Sequence, residues 1–150
     1  VWCTQLRGNV INKYASDGTF LGGFQHGFFH AQGCVVGQND DVWVAHSING
    51  GGTTVGHITN NGTFLGVVQL PPGSGPTGVA VDRLGKIWSS NYFTDSISRI
   101  DPSLNGGVGS VDLNVTLGSG AGPYNYGDMT GKNLNVPPQS GSWTVEYDSG

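Results

Sequence analysis

Histidines are the residues of this 150-residue chain best suited to metal binding or proton transfer, and two of the four lie close together. His26 and His30 frame Gly27-Phe28-Phe29 in a predicted loop, where they could contact a ligand or a metal. Metal sites built on histidine need three or four ligands, and no acidic residue lies within this segment. We therefore interpret both as loop histidines in polar surroundings that are candidates for ligand binding, and we predict neither a metal site nor a cofactor.

Other reactive side chains also fit structural roles. His46 and His57 fall on consecutive predicted strands, which favours cross-strand packing at the surface. Asn39-Asp40-Asp41 could offer oxygen ligands to calcium, but it stands where the repeat has a hairpin turn. Glu146 is the only glutamate, and no carboxylate pair or nucleophile with an adjacent base stands out. The sequence thus predicts no catalytic residue.

Loop aromatics suggest binding, and other residues suggest a location. The aromatic residues that could bind a glycan or peptide are Tyr92, Phe93, Tyr124 and Tyr126. Asn61 and Asn114 begin N-glycosylation sequons. Cys3 and Cys34 fall on neighbouring repeats and could either form a disulfide or remain two buried thiols. Together with the low charge, these features favour an extracellular or cell-surface protein.

The composition is that of an all-β protein. Glycine accounts for 27 residues, helix-favouring residues are scarce, and β-branched and aromatic residues are plentiful. A net charge of -4 without any basic cluster excludes nucleic acid as a partner. No stretch approaches the length of a membrane-spanning helix. The chain opens on Val1-Trp2 without an initiator methionine, which is typical of a mature or excised segment.

A repeat of roughly 44 residues organises most of the chain. Asp17-Gly18-Thr19-Phe20 returns 44 residues later as Asn61-Gly62-Thr63-Phe64. An apolar residue followed by tryptophan recurs at Trp2, Trp43 and Trp88, which are 41 and 45 residues apart. Each unit is predicted to contain four short antiparallel strands, and the tryptophans are predicted to pack between units.

One unit resembles a known family. Gly-Pro-Thr-Gly-Val-Ala-Val-Asp at residues 75–82, Gly-Lys-Ile-Trp at 85–88 and Ile-Ser-Arg-Ile-Asp at 97–101 resemble the NHL and streptogramin-B-lyase-like β-propellers. The resemblance covers residues 1–131 and implies β-propeller blades of four antiparallel strands. The lyases of this group are similar in using a metal with a histidine and glutamates around the central channel. Because Glu146 lies outside the repeats and no histidine matches by motif, no catalytic residue is transferred.

The alignment of Trp2 with the other tryptophans predicts about three blades per chain, permuted by one strand. The predicted blades are residues 1–31, 32–74 and 75–119, followed by the first strand of a further blade over 120–131. Residues 132–150 are predicted to be a C-terminal extension with one extra strand at 142–147. Three blades cannot close a ring. The expected partners are therefore the rest of a longer propeller chain or other copies of this one.

Three functions fit these features. A non-catalytic extracellular module could serve as a structural, assembly or adhesion scaffold, forming a closed ring or a filament through strand addition. A glycan- or peptide-binding propeller could use the loop aromatics. An enzyme related to the lyases would need a glutamate or an equivalent group from another chain. The lack of a catalytic constellation favours the scaffold.

Overall fold

Three antiparallel sheets make up the part of the chain described by the computed structural model, which covers residues 1–46 and 52–125. The first sheet has the order β1-β2-β3, the second β4-β5-β6-β7 and the third β11-β10-β9-β8. No α-helix occurs within these residues. The strands are β1 (Trp2–Thr4), β2 (Val10–Tyr14), β3 (Phe20–Gln25), β4 (Ala31–Val36), β5 (Val42–His46), β6 (Thr54–Ile58), β7 (Phe64–Gln69), β8 (Pro76–Val81), β9 (Ile87–Asn91), β10 (Ser96–Asp101) and β11 (Ser110–Thr116), with a 3-10 turn at Asn105–Gly107 before β11.

This arrangement confirms the predicted fold class of β-propeller blades permuted by one strand. Trp43 lies on the second strand of a four-stranded sheet, and so does Trp88. Trp2 lies on β1, which is an edge strand of the first sheet within the described residues. The predicted boundary at residue 131 and the predicted strand over 142–147 lie outside the described residues.

The repeated Gly18 and Gly62 close equivalent turns between the third and fourth strands of a blade. Ala15 N–H donates to Thr19 at 2.9 Å, and Thr59 N–H donates to Thr63 at 2.9 Å. The backbone φ angles of Gly18 and Gly62 are 89° and 91°, a region that residues other than glycine rarely adopt. The Asp-Gly and Asn-Gly dipeptides of the repeat are thus explained by the turn that they form.

The sheets are held together by alternating side chains of the central strands. On β5, Val42 and Val44 join the apolar cluster shared with the first sheet, whereas Trp43 joins the cluster shared with the third. Only 1% of Trp43 is exposed, and it packs with Val79 and other apolar residues of the third sheet. Truncating such a side chain typically costs about 3–5 kcal/mol. The prediction that this tryptophan packs between blades is therefore confirmed.

The innermost strands run so close together that glycine is required. A Cβ atom on Gly33 of β4 would lie 2.8 Å from the Cα atom of Gly78 on β8. A Cβ atom on Gly78 would in turn lie 3.0 Å from the carbonyl oxygen of Asn125. The Asn125 N–H also donates to Thr77 Oγ1 at 3.1 Å. The segment at Asn125 therefore lies against the inner strand of the third sheet, as β8 lies against the inner strand of the second.

The turn glycines provide a test of inter-blade packing. A Cβ atom on Gly62 would lie 1.9 Å from the ring of Phe24 in the first sheet, whereas nothing lies within 4 Å of one on Gly18. Both substitutions to alanine carry the backbone cost of a positive φ, about 1–2 kcal/mol. Gly62→Ala should cost about 1–3 kcal/mol more than Gly18→Ala in urea unfolding at low protein concentration, because it also displaces Phe24. Equal losses would contradict the packing of Phe24 over this turn.

Candidate functional site

One end of the sheets, which we call the loop face, gathers most of the predicted binding residues. It comprises residues 26–30, 52–53, 70–75, 92–95 and 117–125, which leave or enter the strands at the same end. Backbone hydrogen bonds of 3.1 Å link the loops in series, from Gly75 N–H to Gly52 and from Tyr92 N–H to Gly75. The loop face is therefore one connected surface across two blades.

Asp95 fixes the last of these loops. Its carboxylate accepts hydrogen bonds of 2.7 Å from the N–H groups of Gly120 and Gly122. These bonds lower the pKa of Asp95, since they stabilise the ionised form. At the base of the same hairpin, the buried amide of Asn91 donates to Ser96 and Ser98 at 3.1 and 2.8 Å. Both ends of the β9–β10 loop are thus held in place.

Three of the four predicted aromatic residues meet on this loop. The rings of Tyr92 and Phe93 are 5.3 Å apart, and those of Tyr92 and Tyr124 are 5.6 Å apart, both edge to face. Phe93 is 61% exposed and Tyr124 is 41% exposed. Exposed rings in a fixed arrangement can stack on a sugar or an apolar side chain. The fourth candidate, Tyr126, lies outside the described residues.

His26 departs from its prediction of an exposed loop histidine, because it is fully buried. Its Nδ1 atom lies 3.0 Å from Nε2 of His46, and the two rings stack with centroids 5.1 Å apart. The carbonyl oxygen of His26 lies 3.1 Å from the same Nε2 atom, which therefore carries the proton. Nδ1 of His46 then accepts the hydroxyl proton of Thr54 at 2.6 Å.

Burial holds both imidazoles neutral. Loss of solvation lowers the pKa of His26 from the usual 6.5 to about 4. The pKa of His46 also falls to about 4, mainly through burial and secondly through the charge of a protonated His26. Two neutral rings joined by hydrogen bonds make a structural support at neutral pH.

His30 lies at the rim of a small pocket supported by this pair. The pocket has a volume of about 340 Å³ and includes Phe28, His30, His46 and Thr54 in its lining. His30 has a φ of 65°, which places it among the few non-glycine residues in the left-handed region. Phe28 is exposed, and its ring lies 5.5 Å from that of His46. His26 and His30 are thus separated, with one beneath the pocket and one beside it.

The opposite end holds a group that the sequence did not reveal. His57 is buried, contrary to the predicted surface position, and its ring stacks on Trp43 at 3.7 Å. The two residues are direct cross-strand partners, so cross-strand packing was correct. Nε2 lies 3.2 Å from the carboxylate of Asp41, and Nδ1 lies 3.0 Å from the carbonyl oxygen of Val108. A backbone carbonyl oxygen and a carboxylate, both hydrogen-bond acceptors, thus face the two ring nitrogens.

A cleft of about 600 Å³ opens beside His57 between the second and third sheets. Its lining includes Asp41, Lys86 and Asp101, and Lys86 forms an ion pair with Asp101. Asp40 lies in the tight turn expected for residues 39–41, where Asp40 N–H donates to the carbonyl oxygen of Gly37 at 3.1 Å. Within residues 1–46 and 52–125, no three His, Cys, Asp or Glu side chains are placed to share a metal ion.

The structure contains no disulfide between Cys3 and Cys34, so the first of the two predicted alternatives is wrong. Cys34 approaches the carbonyl oxygen of Trp2 at 3.8 Å. Trp2 faces the second sheet, so Cys3, the next residue on the strand, points to the other side of the first sheet and is exposed. The alternative of two buried thiols is also wrong for Cys3.

Both sequon asparagines, Asn61 and Asn114, are exposed. The carbonyl oxygen of the Asn61 side chain accepts from Thr63 Oγ1 at 3.1 Å, and that of Asn114 accepts from Ser98 at 2.8 Å. None of the described residues belongs to a helix long and apolar enough to span a membrane.

Solved structures with similar folds include enzymes. Virginiamycin B lyase from Staphylococcus aureus matches with 21% identity and a TM-score of 0.67, over 82% of this chain and 40% of the lyase. Streptogramin B lyase matches with 25% identity and a TM-score of 0.67, over 82% of this chain and 39% of that protein. Hydrazine synthase from Kuenenia stuttgartiensis matches with 11% identity and a TM-score of 0.65, over 82% of this chain and 33% of that enzyme.

These matches confirm the resemblance to streptogramin-B-lyase-like propellers at the level of the fold. The chain is a partial β-propeller that spans about two-fifths of the length of the lyases. No family model matches the sequence, and no curated protein does. Because similar propellers include enzymes, the absence of catalysis stays a prediction.

The buried histidine pair predicts an acid-sensitive fold. The unfolded chain takes up protons at these histidines near pH 6.5, whereas the folded chain does so only near pH 4. The stabilising contribution is thus complete above pH 6.5 and is lost as the pH falls towards 4. Urea unfolding should show a decrease on the order of a few kcal/mol over this range. His26→Gln should flatten the profile, and an unchanged profile in this variant would contradict the assignment.

Proposed function

We propose that this chain is a non-catalytic, extracellular scaffold module that functions by assembling with further β-propeller blades. One observation carries the proposal. We call the side of the third sheet that faces away from the second sheet the leading face. Its apolar side chains are not covered by any described residue, whereas the equivalent side chains of the first and second sheets are covered by the next sheet. The leading face consists of Trp88, Ile97, Arg99, Leu113 and Val115.

Comparison of equivalent positions supports this proposal. Ile11, Val55 and Ile97 occupy the same register in the three sheets, and only Ile97 is not fully buried. Val68 in the second sheet is 2% exposed, whereas Val115 in the third is 37% exposed. Contiguous apolar surface of this kind marks an interaction site. In the first and second sheets, the side that carries the tryptophan is covered by the next sheet. The leading face of the third sheet is therefore expected to bind a further blade.

An extracellular location is part of the proposal. It is supported by the low content of charged residues, 11%, and by the exposure of Asn61 and Asn114. Expression through a eukaryotic secretory pathway, followed by enzymatic removal of N-glycans, measures occupancy as a change in mass. Glycan-free protein would remove the support that the sequons give.

Assembly through the leading face predicts that the purified chain self-associates. Light scattering should give a mass at least twice the 15.6 kDa of one chain. Trp88→Ser should weaken association by at least tenfold, because it removes the large ring of the face. Leu84→Ser is the control, since Leu84 is 72% exposed and lies in a turn. A compact, stable monomer for the parent chain would refute the scaffold.

A second function, glycan or peptide binding, is favoured by the aromatic cluster of the loop face. Tyr92, Phe93 and Tyr124 are exposed, and the loop that carries the first two is fixed by Asp95 and Asn91. Aromatic rings on a fixed loop lose little entropy on binding.

Binding at this cluster predicts a selective effect of substitutions. If a glycan or peptide array identifies a ligand, Phe93→Ala should weaken binding by at least tenfold, since Phe93 is the most exposed ring of the cluster. Phe20→Ala, which removes an exposed ring at 58% exposure from β3, should leave the affinity unchanged. Equal effects of the two variants, or no ligand on either array, would contradict this function.

A further inference from the structure

Each sheet carries a tryptophan paired with a basic side chain on the next strand. The cross-strand pairs are Trp2 with Lys13, Trp43 with His57 and Trp88 with Arg99. The Lys13 ammonium lies 5.0 Å from the centre of the Trp2 ring, and the Arg99 guanidinium lies 5.7 Å from that of Trp88. His57 stacks on Trp43 at 3.7 Å. A basic side chain packed on a tryptophan ring therefore recurs on the corresponding side of all three sheets, as a cation over the ring in the first and third.

In the first two sheets, the basic residue also reaches the next sheet. Lys13 Nζ donates to the backbone carbonyl oxygen of Asn60 at 2.6 Å. Nδ1 of His57 lies 3.0 Å from the backbone carbonyl oxygen of Val108. Asn60 and Val108 both lie in the connection between the third and fourth strands of the following sheet. A hydrogen bond from each sheet to the next thus accompanies the apolar packing.

Arg99 is the third member of this series. Its guanidinium donates to both carboxylate oxygens of Asp112 at 2.9 and 3.2 Å. These bonds hold the side chain along its own sheet and use two of the five N–H donors of a guanidinium. The remaining N–H groups of Arg99 could donate to a backbone carbonyl oxygen of a following sheet, at the position that Asn60 and Val108 occupy for Lys13 and His57.

The first sheet has the surface that this series needs. Its β2–β3 turn repeats the hydrogen bonds of the β6–β7 turn, and Ser16 stands where Asn60 stands. Around Gly62 the space is filled by Phe24 of the preceding sheet, whereas nothing lies within 4 Å of a Cβ atom on Gly18. The recess beside Gly18 is therefore open to receive an apolar side chain at the position of Phe24, which in the third sheet is Val115.

The inner end of the next blade position is already occupied by this chain. Asn125 lies close to Gly78 in the same way that Gly78 lies close to Gly33. Residues 122–125 therefore occupy the position of an inner strand. The first sheet has β1 at its edge, with no strand beyond it in the described residues. Residues 122–125 of one copy and the first sheet of another are thus complementary parts of one blade.

We infer that the leading face of one copy binds the first sheet of a second copy, head to tail, with Arg99 donating to the backbone carbonyl oxygen of Ser16 and residues 122–125 running beside β1. This inference rests on the proposed scaffold function and names its partner. Continuity supports it, because the contact repeats the two inter-sheet interfaces within the chain. Two copies would supply six blades, within the range of closed propellers, and a contact that fails to close would grow into a filament.

Cys3 provides a direct test of this register. Val44, which occupies the corresponding place in the second sheet, belongs to the same apolar cluster as Ile11 and Trp2 of the preceding sheet. Cys3 of the second copy should therefore lie against Ile97 and Trp88 of the first. Under mild oxidation, Ile97→Cys should produce a disulfide with the native Cys3 of another copy, seen as dimers or a ladder on a non-reducing gel.

Matched variants identify the source of the crosslink. Cys3→Ser combined with Ile97→Cys should give no crosslink, although Cys34 is still present. Leu84→Cys, with an intact Cys3, should crosslink no more than the parent chain. Arg99→Gln should weaken association roughly tenfold, as expected for one hydrogen bond from a charged donor, whereas Arg83→Gln should leave it unchanged.

The outcomes separate this inference from the scaffold function. A parent chain that stays monomeric at all concentrations overturns both. If the chain associates but Ile97→Cys forms no crosslink with Cys3, the scaffold function stands and the head-to-tail contact is overturned. The same conclusion follows if Arg99→Gln and Arg83→Gln weaken association equally.

Discussion

The structure depends on one repeated constraint, which is that each sheet must cover its tryptophan-bearing side with the next sheet. A four-stranded antiparallel sheet is too small to form a core by itself. Trp43 shows how the problem is solved, since its ring lies between the second and third sheets with Val79 on the far side. The glycines follow from the same constraint, because Gly33 and Gly78 allow the inner strands to approach and Gly62 makes room for Phe24. Sequence features that look unrelated thus serve one contact.

The buried histidines show that their hydrogen-bond partners determine what each contributes. His57 lies between a carboxylate and a carbonyl oxygen, and its ring stacks on Trp43. His26 and His46 instead bind each other and Thr54 away from any carboxylate, and burial lowers the pKa of both. The first arrangement forms a contact between the second and third sheets. The second supports the loop face and is expected to fail in acid.

The sequence predicted the blades, their permutation and the packing role of the tryptophans, because these depend on period and alternation along the chain. It also placed Tyr92, Phe93 and Tyr124 in loops, and these residues meet in space. It could not predict the burial of His26, since the partner that shields it, His46, lies on a different sheet. The pairing of basic residues with tryptophans was visible in principle. Its spacing varies, however, from 11 residues for Trp2 and Lys13 to 14 for Trp43 and His57, so a fixed period misses it.

The proposed assembly and the proposed ligand binding are compatible because they use different parts of the blade. Contacts between sheets involve the sides of the strands and the turns at one end, where Lys13 meets Asn60 and His57 meets Val108. The loop face lies at the other end, and its loops are fixed by their own hydrogen bonds, such as those to Asp95. A substitution on the loop face therefore need not disturb the packing of the sheets. This separation explains how exposed rings such as Phe93 can be retained on a fold whose stability comes from contacts elsewhere.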